Sequence, residues 1–271
     1  MEAADGQRLA NADRAGTRVR PPLGAAPIED LRRDGRLHRV RVRGDDGRVA
    51  LGLIAPTFTA DIVANLLFGI PVILLPLVLL WDAPGEQRSR LDRAAELTLF
   101  WLPYSAASQI GYELVFLIGH PLGLWEPTSD PGWKWLWWQY GLADTRYTSG
   151  NPWTFALEVV GVLTGITVFI VWTRLIRPGL PFESRIRCLW LAFTGVAVIY
   201  SSTAVYFLAE VGSGFDDIGQ GPFGLWFKFI GENLPFIVLP PFVLYAIHLQ
   251  VDFLTRRAGV PTAVSTQSRP A

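Results

Sequence analysis

WLWWQYGLADTRYTSGNPWTFALE, residues 135–158, is a short polar stretch between two long apolar ones. Asn151 and Pro152 are typical of a helix start, with asparagine at the N-cap and proline in the first turn. Glu158 follows inside that predicted helix, within an apolar run. A carboxylate in such a helix is costly unless it has a partner or a chemical role. The function of the chain therefore depends on what surrounds Glu158.

The composition favours a membrane protein. The chain has 271 residues, 50% of them hydrophobic and 18% charged, with a mean hydropathy of +0.28. Soluble domains carry about 25% charged residues. The net charge of zero gives no indication of nucleic-acid binding, and the single Cys188 excludes an internal disulfide or a multi-cysteine metal site.

The charge distribution divides the chain into three regions. Residues 1–56 are predicted to be a disordered or loosely structured, arginine-rich tail, 57–250 a membrane domain and 251–271 a polar C-terminal tail. Residues 37–51 alternate around a Gly-Asp-Asp-Gly turn, which fits a small hairpin or, equally well, a solvated basic arm near lipid headgroups.

Five apolar segments are each close to the roughly 20 residues that a helix needs to cross a bilayer. They cover about 58–81, 97–119, 153–176, 188–209 and 223–249. We therefore expect an all-α, five-helix, multi-pass protein of a bacterial inner membrane or of a eukaryotic endoplasmic reticulum. Arginines in the short links place the C-terminus in the cytoplasm, whereas the basic N-terminal tail favours the opposite orientation.

Polar residues of different segments reach similar depths. Glu113, near the end of the second segment, and Glu158, near the start of the third, both lie roughly 9 Å below one interface at 1.5 Å rise per residue. Gln109 is one turn deeper than Glu113 on the same face. Asn233, with Glu232 beside it, lies about ten residues into the fifth segment. This predicts a buried polar pocket, although hydrogen bonds that only hold helices together are the alternative.

The polar link before Glu158 has its own predicted roles. Asp144 and Arg146 are expected to form a structural ion pair that fixes the link to the bundle. The tryptophans of 133–138 are typical of an aromatic belt at the membrane interface, or of a lid over a lipid-entry gap.

Several blocks occur in a fixed order: WWQYGLADTRY at 137–147, then Glu158, then YFLAE at 206–210, and GPFGLWFKFIGENLPFIVLP at 221–240. In order and spacing they resemble the emopamil-binding protein family, whose members share the EXPERA-type domain and include the sterol Δ8–Δ7 isomerase. The resemblance covers roughly 97–250. It implies a five-helix membrane bundle with a sterol-sized cavity.

The resemblance also implies a chemistry. The isomerase adds a proton to a ring alkene and removes another from an adjacent carbon, through a tertiary carbocation. Buried carboxyl groups suit the acid and base roles, and aromatic faces attract the cation. No metal or organic cofactor is expected, because the reaction is redox-neutral and the chain has no nucleotide motif.

Residue by residue, the resemblance assigns catalysis to Glu158 and Glu113 and a structural role to Asp144, Arg146 and Tyr147. We expect substrate contacts from a larger group, in which Glu232 has no family counterpart. That group is Gln109, Asn233, Phe236, Trp226, Tyr206 and Glu232.

Three positions depart from the family pattern. Gln109 replaces a histidine, and glutamine cannot shuttle a proton at neutral pH. Glu113 with Glu158, or Glu232 with Glu158, would then supply the acid–base pair. Gly161 replaces a threonine, which predicts a larger pocket, and Phe236 replaces a tryptophan but keeps a π face.

The first hypothesis is a membrane isomerase that moves a double bond in a sterol, steroid or other polycyclic terpenoid. A non-catalytic sterol- or lipid-binding protein and a membrane terpenoid cyclase are the alternatives. The expected partners are a polycyclic lipid and the bilayer, with no nucleic acid. A homodimer is compatible with the fold, although no small-residue motif marks an interface.

Overall fold

The computed structural model describes residues 81–259, apart from 83, 127, 129 and 130, together with nine positions between 59 and 79. This part of the chain is mostly helical and contains no β-strand; one isolated bridge joins Asp144 and Ile218. The predicted helical class is confirmed for these residues. The N-terminal tail, the 37–51 segment, most of the first apolar segment and residues beyond 259 lie outside them.

The first half of the described chain consists of one long helix and the polar link. The helix comprises α1, a π-helical turn and α2, and the link contains α3 and α4. Their bounds are Arg90–Ser108 for α1, Gln109–Glu113 for the π-helical turn, Leu114–Gly119 for α2, Trp135–Gly141 for α3 and Thr145–Ser149 for α4.

The second half is built from three long helical stretches. These are α5 (Pro152–Leu175), α6 (Phe182–Ser213), and a stretch that begins as a π-helix at Phe223–Ile230 and continues through α7 (Gly231–Asn233) into α8 (Pro235–Gly259). The last stretch passes residue 250, the predicted end of the membrane domain, without a break.

The start of α5 is the one that the sequence predicts. The Asn151 side chain accepts hydrogen bonds from the backbone N–H groups of Trp153 and Thr154, and Pro152 is the first helical residue. Asparagine thereby satisfies two N–H groups that lack a partner within the helix. This cap fixes where α5 begins and therefore how far Glu158 lies inside it.

Three helical stretches of the described chain are long and apolar enough to cross a membrane: Pro152–Leu175, Phe182–Ser213 and Phe223–Ala258. The predicted set of five is therefore too large for what the structure supports. The second predicted segment is helical, but α1 begins with charged turns, and polar side chains follow from Ser105 to Glu113. The first predicted segment falls mostly outside the described residues.

The long helices bury one face against each other and expose apolar residues on the other. The core between α1, α5, α6 and α8 includes Trp101, Val168, Val196 and Ile247, all fully buried. The outward face of α5 carries Leu163, which is 62% exposed, and other exposed apolar side chains: Val160, Ile166, Phe169 and Ile170. An exposed apolar face of this extent fits contact with lipid.

Candidate functional site

A cavity of about 140 Å³ lies where the end of α1 and its π-helical turn meet the link, the start of α5, the second half of α6, α7 and the start of α8. Its polar lining consists of carboxyl, amide, phenol and alcohol groups: Glu113, Glu158, Glu232, Asn65, Gln109, Gln139, Asn233, Tyr112, Tyr140, Tyr147, Tyr206, Ser108, Ser202 and Thr203. Leu136, Leu157, Ile199 and Phe236 supply the apolar lining. No lysine, arginine or histidine occurs among the described lining residues, so the cavity suits a group that carries positive charge or donates hydrogen bonds.

Glu113 and Glu158 form a carboxyl pair in this cavity. Glu113 lies in the π-helical turn, and Glu158, only 8% exposed, lies on α5. Both side chains line the cavity, and their carboxyl groups lie close enough to interact. Two adjacent buried carboxylates repel each other when both are ionised, so we expect one of the two groups to carry a proton. A carboxylic acid beside a carboxylate would supply an acid and a base in one place.

Tyr147 holds one member of the pair. Its Oη donates to Glu158 Oε1 at 2.5 Å, and its ring packs edge-on against Phe116 at 4.5 Å and against Tyr140 at 5.3 Å. Burial, together with the nearby glutamates, raises the pKa of Tyr147 well above its usual range. The phenol therefore remains a hydrogen-bond donor to Glu158 at neutral pH.

Asn233 is anchored at two points and presents its oxygen to the cavity. Its Nδ2 donates to the backbone oxygen of Phe229 at 2.8 Å and to Tyr140 Oη at 2.7 Å. A backbone carbonyl only accepts, so the amide nitrogen must be the group that faces it. Both N–H bonds are then used, and Oδ1 has no protein partner in the described part of the chain. The cavity wall is a hydrogen-bond acceptor at this position.

The same contact sets the direction of a chain of tyrosines. Tyr140 Oη lies 3.0 Å from Tyr206 Oη, and Tyr206 in turn donates to Asp144. Because Tyr140 accepts from Asn233, its own proton points to Tyr206. Every donor in the chain thus points from the cavity towards the Asp144 carboxylate.

Behind the tyrosines, one guanidinium lies between two buried carboxylates. Arg146 contacts Asp144 at 2.6 and 2.9 Å and Glu210 at 2.8 Å, and its guanidinium carbon lies 4.1 Å from the centre of the Tyr206 ring. All three charged residues are at most 3% exposed. Burial alone would lower the pKa of Arg146, but the hydrogen bonds that it donates to Asp144 and the surrounding negative charges raise it. The link and α6 are therefore joined by an ion network.

In the comparisons with known proteins, no protein-family model, curated protein or solved structure matches the chain. The functional argument for the chain therefore depends on the geometry of the site. Within the described residues, no group of three or more His, Cys, Asp and Glu side chains is arranged to hold a metal ion.

Gln109 and Gly161 lie next to each other. A Cβ atom added at Gly161 would collide with Gln109 Oε1. The prediction that Gly161 enlarges the pocket is therefore wrong, because the amide of Gln109 occupies the space that a larger residue would fill. Gly165, one turn further on α5, lets the stem of Gln109 approach in the same way.

Replacing Gly165 by alanine is expected to destabilise the protein by about 1–3 kcal/mol, as overpacking does. The added Cβ would lie 2.6 Å from Gln109 Cβ, an atom that cannot move without its backbone. Gly161→Ala is expected to cost less, because the far end of Gln109 can rotate away. Unfolding midpoints of the purified variants in detergent measure this.

Gly212→Ala is the matched control, since Gly212 is also helical and has nothing within 4 Å of an added Cβ. It is expected to be neutral or to stabilise the helix by roughly 0.5–1 kcal/mol. Equal effects at Gly165 and Gly212 would contradict the close approach of Gln109 to α5.

Trp226 is not part of the cavity, contrary to the prediction. Gly224, Lys228 and Phe229 form the buried face of the π-helix, whereas Trp226 projects from the other face and is 66% exposed. Phe236 does line the cavity and packs with Trp101 and Tyr104, with ring centroids 5.5 and 6.0 Å away. The other predicted substrate contacts, Gln109, Asn233, Tyr206 and Glu232, all line it.

Sequence reasoning missed Tyr140, Tyr112 and Glu210, and it missed both π-helical segments. The Tyr140 and Glu210 positions lie within the WWQYGLADTRY and YFLAE blocks, so a signal for them existed. A second signal came from Arg146 itself. A buried guanidinium group requires several acceptors, so a second carboxylate beside Asp144 could have been predicted. π-Helical turns are frequent at functional sites, but nothing in the local sequence marks them.

Proposed function

We propose that the chain is a membrane-embedded isomerase that shifts a double bond in a sterol, steroid or related polycyclic terpenoid. The observation that carries the proposal is that Glu113 and Glu158 meet in one cavity whose described lining has no basic side chain. An acid and a base in contact, shielded from water, are what proton addition and removal at adjacent carbons require.

The proposed reaction has two steps. The protonated member of the pair gives its proton to one alkene carbon, which leaves a carbocation on the neighbouring carbon. The ionised member then takes a proton from the next carbon, and that C–H electron pair forms the new double bond. One proton enters and one leaves the ligand, so no oxidant, reductant or other co-reactant is consumed. We assign the acid role to Glu113 and the base role to Glu158, because the hydrogen bond that Tyr147 donates to Glu158 favours the ionised form of that carboxyl group.

The cation would lie among aromatic and acceptor groups. Phe236 offers a π face, and the rings of Tyr112 and Tyr140 pack edge to face, 6.2 Å apart, on the cavity wall. Cation–π attraction contributes about 2 kcal/mol or more in a desolvated site. The Asn233 oxygen adds the negative end of an amide dipole. Gln109 orients the pair in place of the histidine of the family that the sequence resembles, and Glu232 contacts the ligand.

The cavity volume limits how the ligand fits. Pockets for drug-sized ligands usually measure about 300–1,000 Å³, whereas this cavity has about 140 Å³. It holds the reacting ring carbons, and we propose that the remainder of the ligand enters by displacing side chains of the link. Two further spans, about 58–81 and 97–119, would complete a five-helix bundle around the site.

The test uses membranes that contain the full-length protein, a Δ8-sterol and deuterated water. The expected result is a Δ7-sterol that carries deuterium at the protonated carbon, because the acid exchanges its proton with solvent before the ligand binds. Tight sterol binding without deuterium incorporation would contradict the isomerase and favour a non-catalytic binding protein. A change in ring count would indicate the cyclase.

A further inference from the structure

A second cavity lies at the opposite end of the described helices from the carboxyl site. It has a volume of about 230 Å³ and is lined by residues from the start of α1, the end of α5, the start of α6 and the end of α8. Leu175 at this groove and Glu158 at the site are 17 residues apart on α5, which corresponds to roughly 25 Å. The groove is therefore a separate feature from the proposed active site.

The walls of the groove are apolar and its floor is closed. Most of the lining is aliphatic or aromatic: Leu91, Leu99, Leu175, Leu189, Phe253 and Leu254. At the floor, Gln250 donates to Thr98 Oγ1 at 2.8 Å, and Thr98 donates to the backbone oxygen of Ala94 at 2.8 Å. The groove is large enough for a portion of a hydrocarbon chain, which would contact the apolar walls.

Two side chains of opposite charge, Arg185 and Asp92, also line the groove. Arg185 has no acidic partner in the part of the chain that the structure describes, whereas its neighbour Arg187 pairs with Glu183 at 3.7 Å. Asp92 accepts from the backbone N–H and the hydroxyl of Ser89 through one oxygen, at 2.9 and 2.7 Å. These hydrogen bonds lower the pKa of Asp92, so it is ionised at neutral pH.

We propose that this groove binds an aminophospholipid, with its phosphate on Arg185, its primary ammonium on Asp92 and part of an acyl chain along the leucines. Guanidinium groups bind phosphate oxygens through paired charge-assisted hydrogen bonds, and a carboxylate accepts from an ammonium N–H. A choline headgroup has no N–H to donate, and a glycerol headgroup has no positive charge. The arrangement therefore distinguishes these three headgroups by charge and by hydrogen bonding.

Native mass spectrometry of the purified full-length protein tests the proposal. Phosphatidylethanolamine, phosphatidylcholine and phosphatidylglycerol with identical acyl chains are added one at a time. Phosphatidylethanolamine is expected to bind about tenfold more tightly than phosphatidylcholine, as charge-assisted hydrogen bonds allow. Asp92→Asn is expected to abolish that preference, and Arg185→Gln is expected to weaken all three lipids.

Arg187→Gln is the matched control, because Arg187 lies two residues away on the same helix with a side chain that is 80% exposed, and it should leave lipid binding unchanged. Arg185→Lys keeps the positive charge and should retain most of the binding. Equal affinity for the three lipids, a preference for phosphatidylglycerol, or binding unaffected by Arg185→Gln would overturn the proposal. None of these outcomes bears on the isomerase reaction, which involves the other cavity.

Discussion

Replacing Glu158 by glutamine is expected to lower the rate of double-bond isomerisation by about 10²–10⁴-fold, the usual contribution of a general acid or base. Glutamine keeps the size of the side chain and can still accept the hydrogen bond from Tyr147. It can neither give a proton to carbon nor take one from carbon at neutral pH. The rate of Δ7-sterol formation in membranes with equal amounts of protein measures the effect.

Glu113→Gln should lower the rate by a similar factor, because either change leaves the pair without one of its two functions. The double variant should lose little more than either single variant, since residues that act as a unit are not additive. Glu183→Gln, on the exposed start of α6, is the control and should keep the full rate. Rates that fall by independent factors at Glu113 and Glu158 would contradict a shared proton.

Replacing Arg146 by methionine is expected to destabilise the protein by about 3–5 kcal/mol, the cost of removing one partner from a buried ion pair. The change leaves Asp144 and Glu210, 0% and 1% exposed, without their common cation. It should also disturb Tyr206, which donates to Asp144. Denaturant unfolding of the purified protein in detergent measures the loss.

The charge explanation for Arg146 has a direct control. Asp144→Asn and Glu210→Gln together with Arg146→Met remove all three charges and should restore much of the lost stability, because no uncompensated carboxylate remains. Arg187→Met, at an exposed i, i+4 pair, should change stability by less than about 0.5 kcal/mol. If the triple variant is as unstable as Arg146→Met, the loss of stability comes from packing and not from unpaired charge.

The sequence allowed the start of α5 and the meeting of Glu113 and Glu158 in one pocket to be predicted. Asn151 and Pro152 determine the cap, and helical rise then determines where Glu158 lies relative to Glu113. These are local rules that need no knowledge of the neighbouring helices. The clustering of Gln109, Asn233 and Glu232 around the pair follows from the same argument.

The incorrect predictions concern the rotation of side chains around a helix axis and the contacts between helices. A π-helical turn changes which side chains share a face, and Trp226 points away from the cavity. The space at Gly161 was misjudged because its occupant, Gln109, comes from another helix. Only three of the five predicted spans are supported, because the first lies mostly outside the described residues and α1 begins with charged turns and carries polar residues of the site.

The proton shared by Glu113 and Glu158 is the central claim, and infrared difference spectroscopy tests it most directly. Membranes with the wild-type protein are compared with membranes that contain Glu113→Gln, in water and in deuterated water at neutral pH. The account predicts a carbonyl stretch of a protonated carboxylic acid that shifts on deuteration and is lost in the variant. Two ionised carboxylates at these positions, with no such band in the wild type, would contradict it.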